Sequence, residues 1–367
     1  MSRNGSSIRV LLAPSAYSPH VGGIEELTRQ LARRLRVNGH EVLVVTNRWP
    51  QPVPASDVLD GVPVRRIVLE LPSASLRGLV RFAVRGPLAA VRLLRVLRAF
   101  RPDVVHVIGA GPNAAYLSVL GRGRLVFTAQ GEVGFDPGDV FAHSLVLRAG
   151  LRRILRRADV VTACSRYVLD ELGADGVVVP NAVEPSDFDL PKPEPNGLGR
   201  YVFAHARLVP QKGLDVLVRA VAGLGRNLVL AGDGPERDRL DKLARELDVP
   251  LRFLGAVGRD DVSRLLRGAD AFALPSRGEP FGIALLEAMA AGTPAVATDA
   301  GGVPEFAADS RNALLVPPDD VPALRAALTR LRDEPALCEQ LVRGGRETAR
   351  VLSWEHVCSR YEELYAP

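Results

Sequence analysis

Two tandem α/β domains, each built on a doubly wound parallel sheet, are predicted by three features of the sequence. Short apolar runs alternate with amphipathic helical stretches along the whole chain, and the runs are continuous and rich in β-branched residues. Strands of that kind are covered on both faces, which is the situation of a parallel sheet flanked by helices. The pattern stops at Pro191-Lys-Pro-Glu-Pro-Asn-Gly-Leu-Gly199 and then starts again. Finally, 367 residues, 47% of them hydrophobic, are too many for one ordinary core and suit two. Aromatic residues are only 5%, whereas 34 glycines and 28 prolines are spread along the chain, as many short strand–helix loops require.

Taken in order, IRVLLA (8–13) predicts a first strand and EELTRQLARRLRVNG (25–39) a helix stopped by Gly39. EVLVVT (41–46), VVHVI (104–108), LVFTA (125–129), VVTAC (160–164) and GVVVP (176–180) predict further strands. Prolines at alternate positions followed by two glycines make 189–199 the linker between an N-terminal domain, 1–188, and a C-terminal domain, 200–352. Beyond the linker, YVFAHA (201–206), NLVLAG (227–232), LRFLG (251–255), DAFALP (270–275) and PAVAT (294–298) predict strands. Helices are predicted around 213–223 and at 235–247, 260–267 and 283–291. Ser353 to Tyr365 reads as an amphipathic helix carrying Trp354, Tyr361 and Tyr365. Two such sheets in tandem place their strand C-termini on either side of a cleft, the default ligand site of this fold class.

Charge is uneven. Residues 1–185 carry 24 Arg and Lys against 15 Asp and Glu, a net +9, whereas the remainder carries 23 against 27, a net −4. A basic half attracts phosphate-rich partners. No basic motif interleaved with aromatics supports nucleic acid as that partner. Residues 76–101 interleave Arg77, Arg81, Arg85, Arg92, Arg95, Arg98 and Arg101 with apolar residues and are broken near Gly86-Pro87. The stretch fits either peripheral contact with an anionic membrane or a solvated helix face of an Arg-rich protein. Cys164, Cys338 and Cys358 are far apart with no CxxC spacing, which points to a reducing compartment. The apolar run Ile8 to Ala13 is too short for a signal peptide, and no stretch approaches a membrane span. The expectation is a cytoplasmic protein, with the inner face of the membrane as its one surface for peripheral contact.

The chemistry concentrates in Glu279-Pro-Phe-Gly-Ile-Ala-Leu-Leu-Glu287. Glu279 follows a buried strand in the polar turn Ser276-Arg277-Gly278, and Phe281, Gly282 and Ile283 lead into a helix. Free N–H groups and the positive dipole end make that helix start an anion site suited to a diphosphate. Glu287 lies about one turn inside the helix, so one carboxylate can serve a sugar and the other ribose hydroxyls, with phosphates between.

Within LPSRGEPFGIALLEAMAAGTPAVATDAGGVPE this pair resembles the signature of glycosyltransferase family 4, the glycosyl transferases group 1, in the GT-B architecture. The resemblance extends to Ala206-Arg207-Leu-Val-Pro-Gln-Lys212-Gly213, Ala231-Gly-Asp-Gly-Pro-Glu236, Phe253-Leu-Gly-Ala-Val257, Gly22-Gly23-Ile-Glu25 and Val179-Pro-Asn181-Ala-Val-Glu184. It implies a nucleotide-diphosphate sugar as donor substrate, UDP- or GDP-linked, and no cofactor or metal. Arg207 and Lys212 match the cations that take up the charge of the departing diphosphate, a role that stabilises the transition state more than the ground state. Glu279 matches the residue on the sugar hydroxyls. Gly22 and Gly23, at a helix start, allow close backbone approach to the donor, and Gly232 and Gly234 border the nucleotide. Two departures stand out: Gln130 replaces the usual His before Gly131, which removes a proton carrier but keeps hydrogen bonding, and Ala206 replaces the usual Gly. The family implies retention of configuration by front-face attack. A double displacement would instead need a carboxylate such as Glu132 or Asp136 on the opposite face of the sugar. The resemblance also joins the helix at about 353–367 to the first domain, makes that domain acceptor-facing and the second donor-binding, and brings Gly22, Gly23 and Gln130 onto the donor by closure.

His106 and His205 read as structural histidines, and Asp260-Asp261 and Asp319-Asp320 as helix caps rather than metal ligands. The acceptor stays open between lipid-linked, glycan and small-molecule hydroxyls. Three rivals share the fold: a nucleotide-sugar 2-epimerase, a phosphorylase, for which no cofactor lysine is marked, and an inactive sugar-nucleotide-binding scaffold, against which Glu279, Glu287, Arg207 and Lys212 stand together.

Overall fold

A computed structural model of the protein describes residues 7–19, 22–48, 53–72, 76–131, 144–189 and 197–366. The chain divides into two units, residues 1–180 with 354–367, and residues 181–353. Residues 181–188, grouped with the first domain on sequence, pack in the second unit. There Phe188 is fully buried and its carbonyl accepts a hydrogen bond of 3.0 Å from Arg267 Nη1.

In the first unit the strands are β1 (Arg9–Pro14), β2 (Glu41–Asn47), β3 (Ser56–Leu59), β4 (Val62–Ile67), β5 (Val104–Ile108), β6 (Arg124–Ala129), β7 (Val160–Ala163) and β8 (Val177–Val178). They form one sheet in the order β3-β4-β2-β1-β5-β6-β7-β8. Every pairing is parallel except β3 with β4. The chain winds outward from β1 and returns to β5 on its other side, so the sheet reverses direction between β1 and β5. The helices are α1 (Gly23–Val37), α2 (Leu76–Phe100), α3 (Pro112–Leu120), α4 (Leu145–Arg157) and α5 (Arg166–Leu172). Val10 to Ala13 and Val104 to Ile108 are buried along their whole length, as unbroken apolar runs require.

Two local features differ from the sequence expectation. The β3–β4 hairpin was not read, although its turn, Asp60-Gly61 with φ of 50° and 76°, is the Asp-Gly pair that two-residue hairpins favour. Helix α2 runs unbroken through Pro87. Proline removes one hydrogen bond, but Ala89, Leu93 and Leu97 lie buried on one face beyond it, and that packing holds the helix together.

In the second unit β9 (Tyr201–His205), β10 (Asn227–Ala231), β11 (Leu251–Gly255), β12 (Ala271–Leu274), β13 (Ala295–Thr298) and β14 (Leu314–Val316) form an all-parallel sheet. Its order is β11-β10-β9-β12-β13-β14, which puts the reversal between β9 and β12. The helices are α6 (Leu214–Val221), α7 (Arg237–Glu246), α8 (Arg259–Gly268), α9 (Ile283–Ala291), α10 (Val321–Asp333) and α11 (Pro335–Val351).

The last helix, α12 (Trp354–Tyr365), belongs to the first unit. Its Tyr365 hydroxyl meets His106 Nδ1 at 2.7 Å, and His106 Nε2 meets Thr128 Oγ1 at 2.6 Å. Thr128 in turn bonds Thr162 at 2.6 Å. His106 is therefore a structural residue on β5, fully buried, and burial lowers its pKa to about 3. It stays neutral, with both ring nitrogens engaged.

Candidate active site

The loops that follow β9 and β12 meet at the point where the second sheet reverses. After β9 the chain passes Arg207, which is exposed, makes a short 3-10 turn over Pro210–Lys212, and enters α6 through Gly213. Gly213 has φ of 59°, and a Cβ there would overlap the carbonyl oxygen of Pro275 in the loop after β12. Only glycine lets the two backbones touch. That contact carries Lys212 onto Glu279, with Nζ and Oε2 2.7 Å apart. Ser276 Oγ donates to the same oxygen at 3.0 Å. Ser276 is fully buried, and Glu279 is only 8% exposed. The Glu279 main chain is fixed as well. Its carbonyl accepts from Gly302 N at 2.8 Å, and Gly301, with φ of 63°, packs against it where a Cβ could not fit. A buried carboxylate with two such partners is a pre-oriented hydrogen-bond acceptor.

Gly282, with φ of 104° and no side-chain cap, starts α9, so the first N–H groups of that helix have no partner within it. Phe281 stacks on Phe306 with ring centroids 4.8 Å apart and is buried, which makes its ring a packing element of the turn. From the second turn of α9 the Glu287 carboxylate reaches back to β9, with Oε2 3.0 Å from His205 Nε2. His205 packs between Phe203 and Phe272, as a structural histidine would, yet it also touches this carboxylate. The turn of Gly232 and Gly234, with φ of 121° and 158°, lies on the backbone of Ala206 and Leu208, again where a Cβ would overlap carbonyl oxygens. Leu208 N donates to Asp233 O at 2.9 Å across that contact. The second unit thus brings Arg207, Lys212, Gly232, Gly234, Phe281, Gly282, Ile283, Glu279 and Glu287 to the ends of β9, β10 and β12.

Gly22, Gly23 and Gln130 lie in the other unit. Gly22 caps α1 in an extended conformation, φ −179°, that any residue adopts, and Gln130 directly follows β6, half-buried. Glu132 and Asp136 lie outside the described residues. Of the acid pairs, Asp320 caps α10, accepting from Ala323 N at 2.9 Å. Asp260 and Asp261 sit in the first turn of α8 behind a Gly258 cap, so they serve the helix dipole rather than the cap itself.

Ser276 and the pair Asp215–Arg277 were not singled out on sequence. Arg277 Nη1 and Nη2 bond the two Asp215 oxygens at 3.0 and 3.1 Å. Burial pushes the Asp215 carboxyl up, but the Arg277 hydrogen bonds and charge outweigh it and hold it below its usual range. Asp215 in turn, as the leading cause, raises the Arg277 guanidinium. The Ser276 hydroxyl sits inside the motif string, three residues from Glu279, whereas Asp215 and Arg277 are 62 residues apart and leave no local signal.

Residues 21–187 match the model of Glycosyltransferase Family 4, and residues 186–348 that of Glycosyl transferases group 1. A phosphatidyl-myo-inositol mannosyltransferase of Mycobacterium leprae is 31% identical over 364 residues, covering 94% of this chain and 92% of that protein. Among solved structures, sucrose-phosphate synthase from Thermosynechococcus elongatus superposes with a TM-score of 0.80 at 22% identity, covering 98% of both chains. Anabaena Alr3699/HepE in complex with UDP and glucose superposes with a TM-score of 0.76 at 21% identity, covering 97% of this chain and 99% of that one. With two Rossmann-like parallel-sheet units and family matches that between them run from residue 21 to 348, the chain belongs to glycosyltransferase family 4, the glycosyl transferases group 1 of GT-B architecture.

Proposed function

We propose that the protein is a retaining, metal-independent hexosyltransferase that moves a sugar from a UDP- or GDP-linked donor to a hydroxyl acceptor in the synthesis of a surface glycan, glycolipid or natural-product glycoside. The observation that carries this reading is the meeting of Lys212 and Glu279 at 2.7 Å beside the uncapped start of α9. In the proposed reaction the bond from the anomeric carbon to the β-phosphate oxygen breaks and a bond to the acceptor oxygen forms on the same face. The acceptor proton passes to the departing phosphate oxygen. Arg207, Lys212 and the N–H groups of Phe281, Gly282 and Ile283 take up the charge that builds on the diphosphate. Glu279 holds the sugar hydroxyls, Glu287 the ribose, and Gly232 and Gly234 border the nucleotide. Gly22, Gly23 and Gln130 contact the transferred sugar from the acceptor-side unit. The relatives act on different acceptors by name, so the acceptor class is left to experiment.

The test is thermal stabilisation by UDP-, GDP-, ADP- and TDP-sugars in EDTA, followed by anomeric analysis of the product. One nucleotide series is expected to stabilise the protein. Glu279→Ala should keep that stabilisation while turnover falls on the order of a thousandfold. Loss of both together contradicts the sugar assignment. Donor turnover without any acceptor product would favour the epimerase, and no response with or without Mg²⁺ the inactive scaffold.

We further propose peripheral contact of the first unit with the cytoplasmic face of a membrane. Among the described residues no helix is long and apolar enough to cross one. Helix α2 contains no acidic residue and exposes Val80, Val84, Leu88 and Val91, spaced along its outward side, beside Arg77, Arg81, Arg92 and Arg95. Glu70, outside the helix, pairs with Arg81 and Arg85. A basic face with an apolar stripe suits an anionic bilayer better than a purely solvated surface does. Sedimentation with anionic phospholipid vesicles should carry the protein down at low salt and fail for Leu88→Asp. Equal binding to neutral vesicles, or none at all, contradicts the proposal.

A further inference from the structure

We infer that Arg277 is a positioning residue which, with Asp215, clamps the loop carrying Lys212 to the loop carrying Glu279 and so sets the geometry of the diphosphate site. The inference rests on the reading of Lys212 and Glu279 as donor-binding groups. Its evidence is where the contacts of Arg277 land. The guanidinium forks onto both Asp215 oxygens, at 3.0 and 3.1 Å, three residues after Lys212. The Nη1 group also donates to the carbonyl of Pro210, two residues before Lys212. Its backbone N–H donates to the carbonyl of Gln211 at 2.7 Å, one residue before Lys212. Arg277 itself stands two residues before Glu279, directly after Ser276, whose hydroxyl holds the Glu279 carboxylate.

The bonds from Arg277 to Asp215, Pro210 and Gln211 all tie the Glu279 loop to the segment around Lys212, within three residues of the ion pair. An isolated surface pair would contribute little and would have no reason to be so placed. Here the fork is planar, bidentate and tied as well to the main-chain oxygen of Pro210, which is the geometry that fixes a distance and not merely a charge. Asp215 is 15% exposed and Arg277 31%, so the clamp is screened from water on the Asp215 side. A second fastening, Arg277 Nε to Asp319 at 2.7 Å, limits rotation of the guanidinium about its own axis. Gly213 provides the backbone contact between the loops, and Arg277 provides the side-chain lock on the same contact. Because cation and carboxylate must be held within a fraction of an ångström to act on one substrate, loosening the lock should weaken diphosphate binding without unfolding the domain.

The experiment compares Arg277→Ala, Arg277→Lys, Asp215→Ala and the double variant Arg277→Ala/Asp215→Ala in the full chain. The affinities of UDP, GDP, ADP and TDP are measured by calorimetry, with melting temperatures alongside. For the diphosphate that binds the wild type most tightly, each single variant, including the charge-conserving lysine, is expected to bind on the order of tenfold more weakly. The double variant is expected to be no worse than the weaker single variant, because one lock is lost in all of them. Unchanged affinity with a lowered melting temperature would make the pair merely structural and overturn the inference. Losses that add in the double variant would mean that Arg277 touches the nucleotide itself, which also overturns it. Lys212→Ala separates the two readings. If that variant binds diphosphate as well as the wild type, or if no nucleotide binds the wild type, the donor-site reading fails and takes the clamp with it. If Lys212→Ala loses affinity and the Arg277 variants do not, the clamp fails alone.

Discussion

The two sheets are wound by one rule around different interiors. In the first unit the middle of the core is polar. His106, Thr128 and Thr162 stand on three adjacent strands and bond one another and Tyr365 of the returning helix α12. In the second unit the sheet packs on an apolar cluster that includes Val202, Leu217, Leu230, Ala273, Val296 and Leu328, and the loops that carry Lys212 and Glu279 lie at the strand ends. Around the candidate active site Gly213, Gly232, Gly234, Gly282 and Gly301 all have positive φ, whereas Gly22, at the start of α1, is extended. The first unit is held at its centre by side-chain hydrogen bonds that need specific partners. The second is held at its rim by backbones pressed together, and there the absence of a Cβ is what matters.

That contrast is most sharply broken or upheld by alanine at one glycine of each kind. In Gly213→Ala the new Cβ would overlap the Pro275 carbonyl oxygen, and the residue would keep φ near 59°. Backbone strain and overlap together should destabilise the protein by about 2–4 kcal/mol, and separation of the two loops should abolish diphosphate binding. In Gly22→Ala the new atom meets, among the described residues, the Glu25 carboxylate, 2.8 Å away at the end of a flexible side chain. A change within about 0.5 kcal/mol is expected there. Denaturant unfolding of both variants checks the pair. Equal destabilisation would show that the second site is not held by backbone contact in the manner described.

The same contrast explains what could be read in advance. The placement of the candidate site's residues was legible where they are contiguous: strand, polar turn, glycine and helix start follow one another from Ala271 to Glu287. The alternation of buried strands and helices gave both sheets, since a fully covered strand must be apolar throughout. What escaped is non-local. The contact of Asp215 with Arg277 spans 62 residues, and that of His106 with Tyr365 spans 259. No spacing rule connects either pair. His106 was read as structural, but the polar chain it anchors has no periodic signal, because each strand contributes one member. Helix α2 was read as broken because proline disfavours a helix locally, and burial of its far half overrides that preference. The β3–β4 hairpin did carry a local signal, Asp60-Gly61, in strands too short and too mixed to stand out.

A smaller effect than that of Gly213→Ala tests the polar interior itself. His106 is buried as the neutral ring, with its pKa lowered from 6.5 to about 3 by burial. The unfolded chain therefore binds a proton between those values that the folded chain does not, so stability is full above pH 6.5 and falls as pH drops toward 3. The slope reaches at most about 1.4 kcal/mol per pH unit, which amounts to roughly 2 kcal/mol between pH 7.5 and pH 5. His106→Leu removes this dependence while leaving the Tyr365 and Thr128 hydroxyls without their ring partner. The variant should thus be less stable at pH 7.5 but should lose about 2 kcal/mol less than the wild type on going to pH 5. The other five of the six histidines are common to both proteins and cancel in the difference. Denaturant unfolding at the two pH values gives the comparison directly. If wild type and variant lose the same stability, His106 takes up a proton in the folded state as readily as in the unfolded one, and the polar interior of the first unit admits a charged ring whose two N–H groups donate to the Tyr365 and Thr128 hydroxyl oxygens.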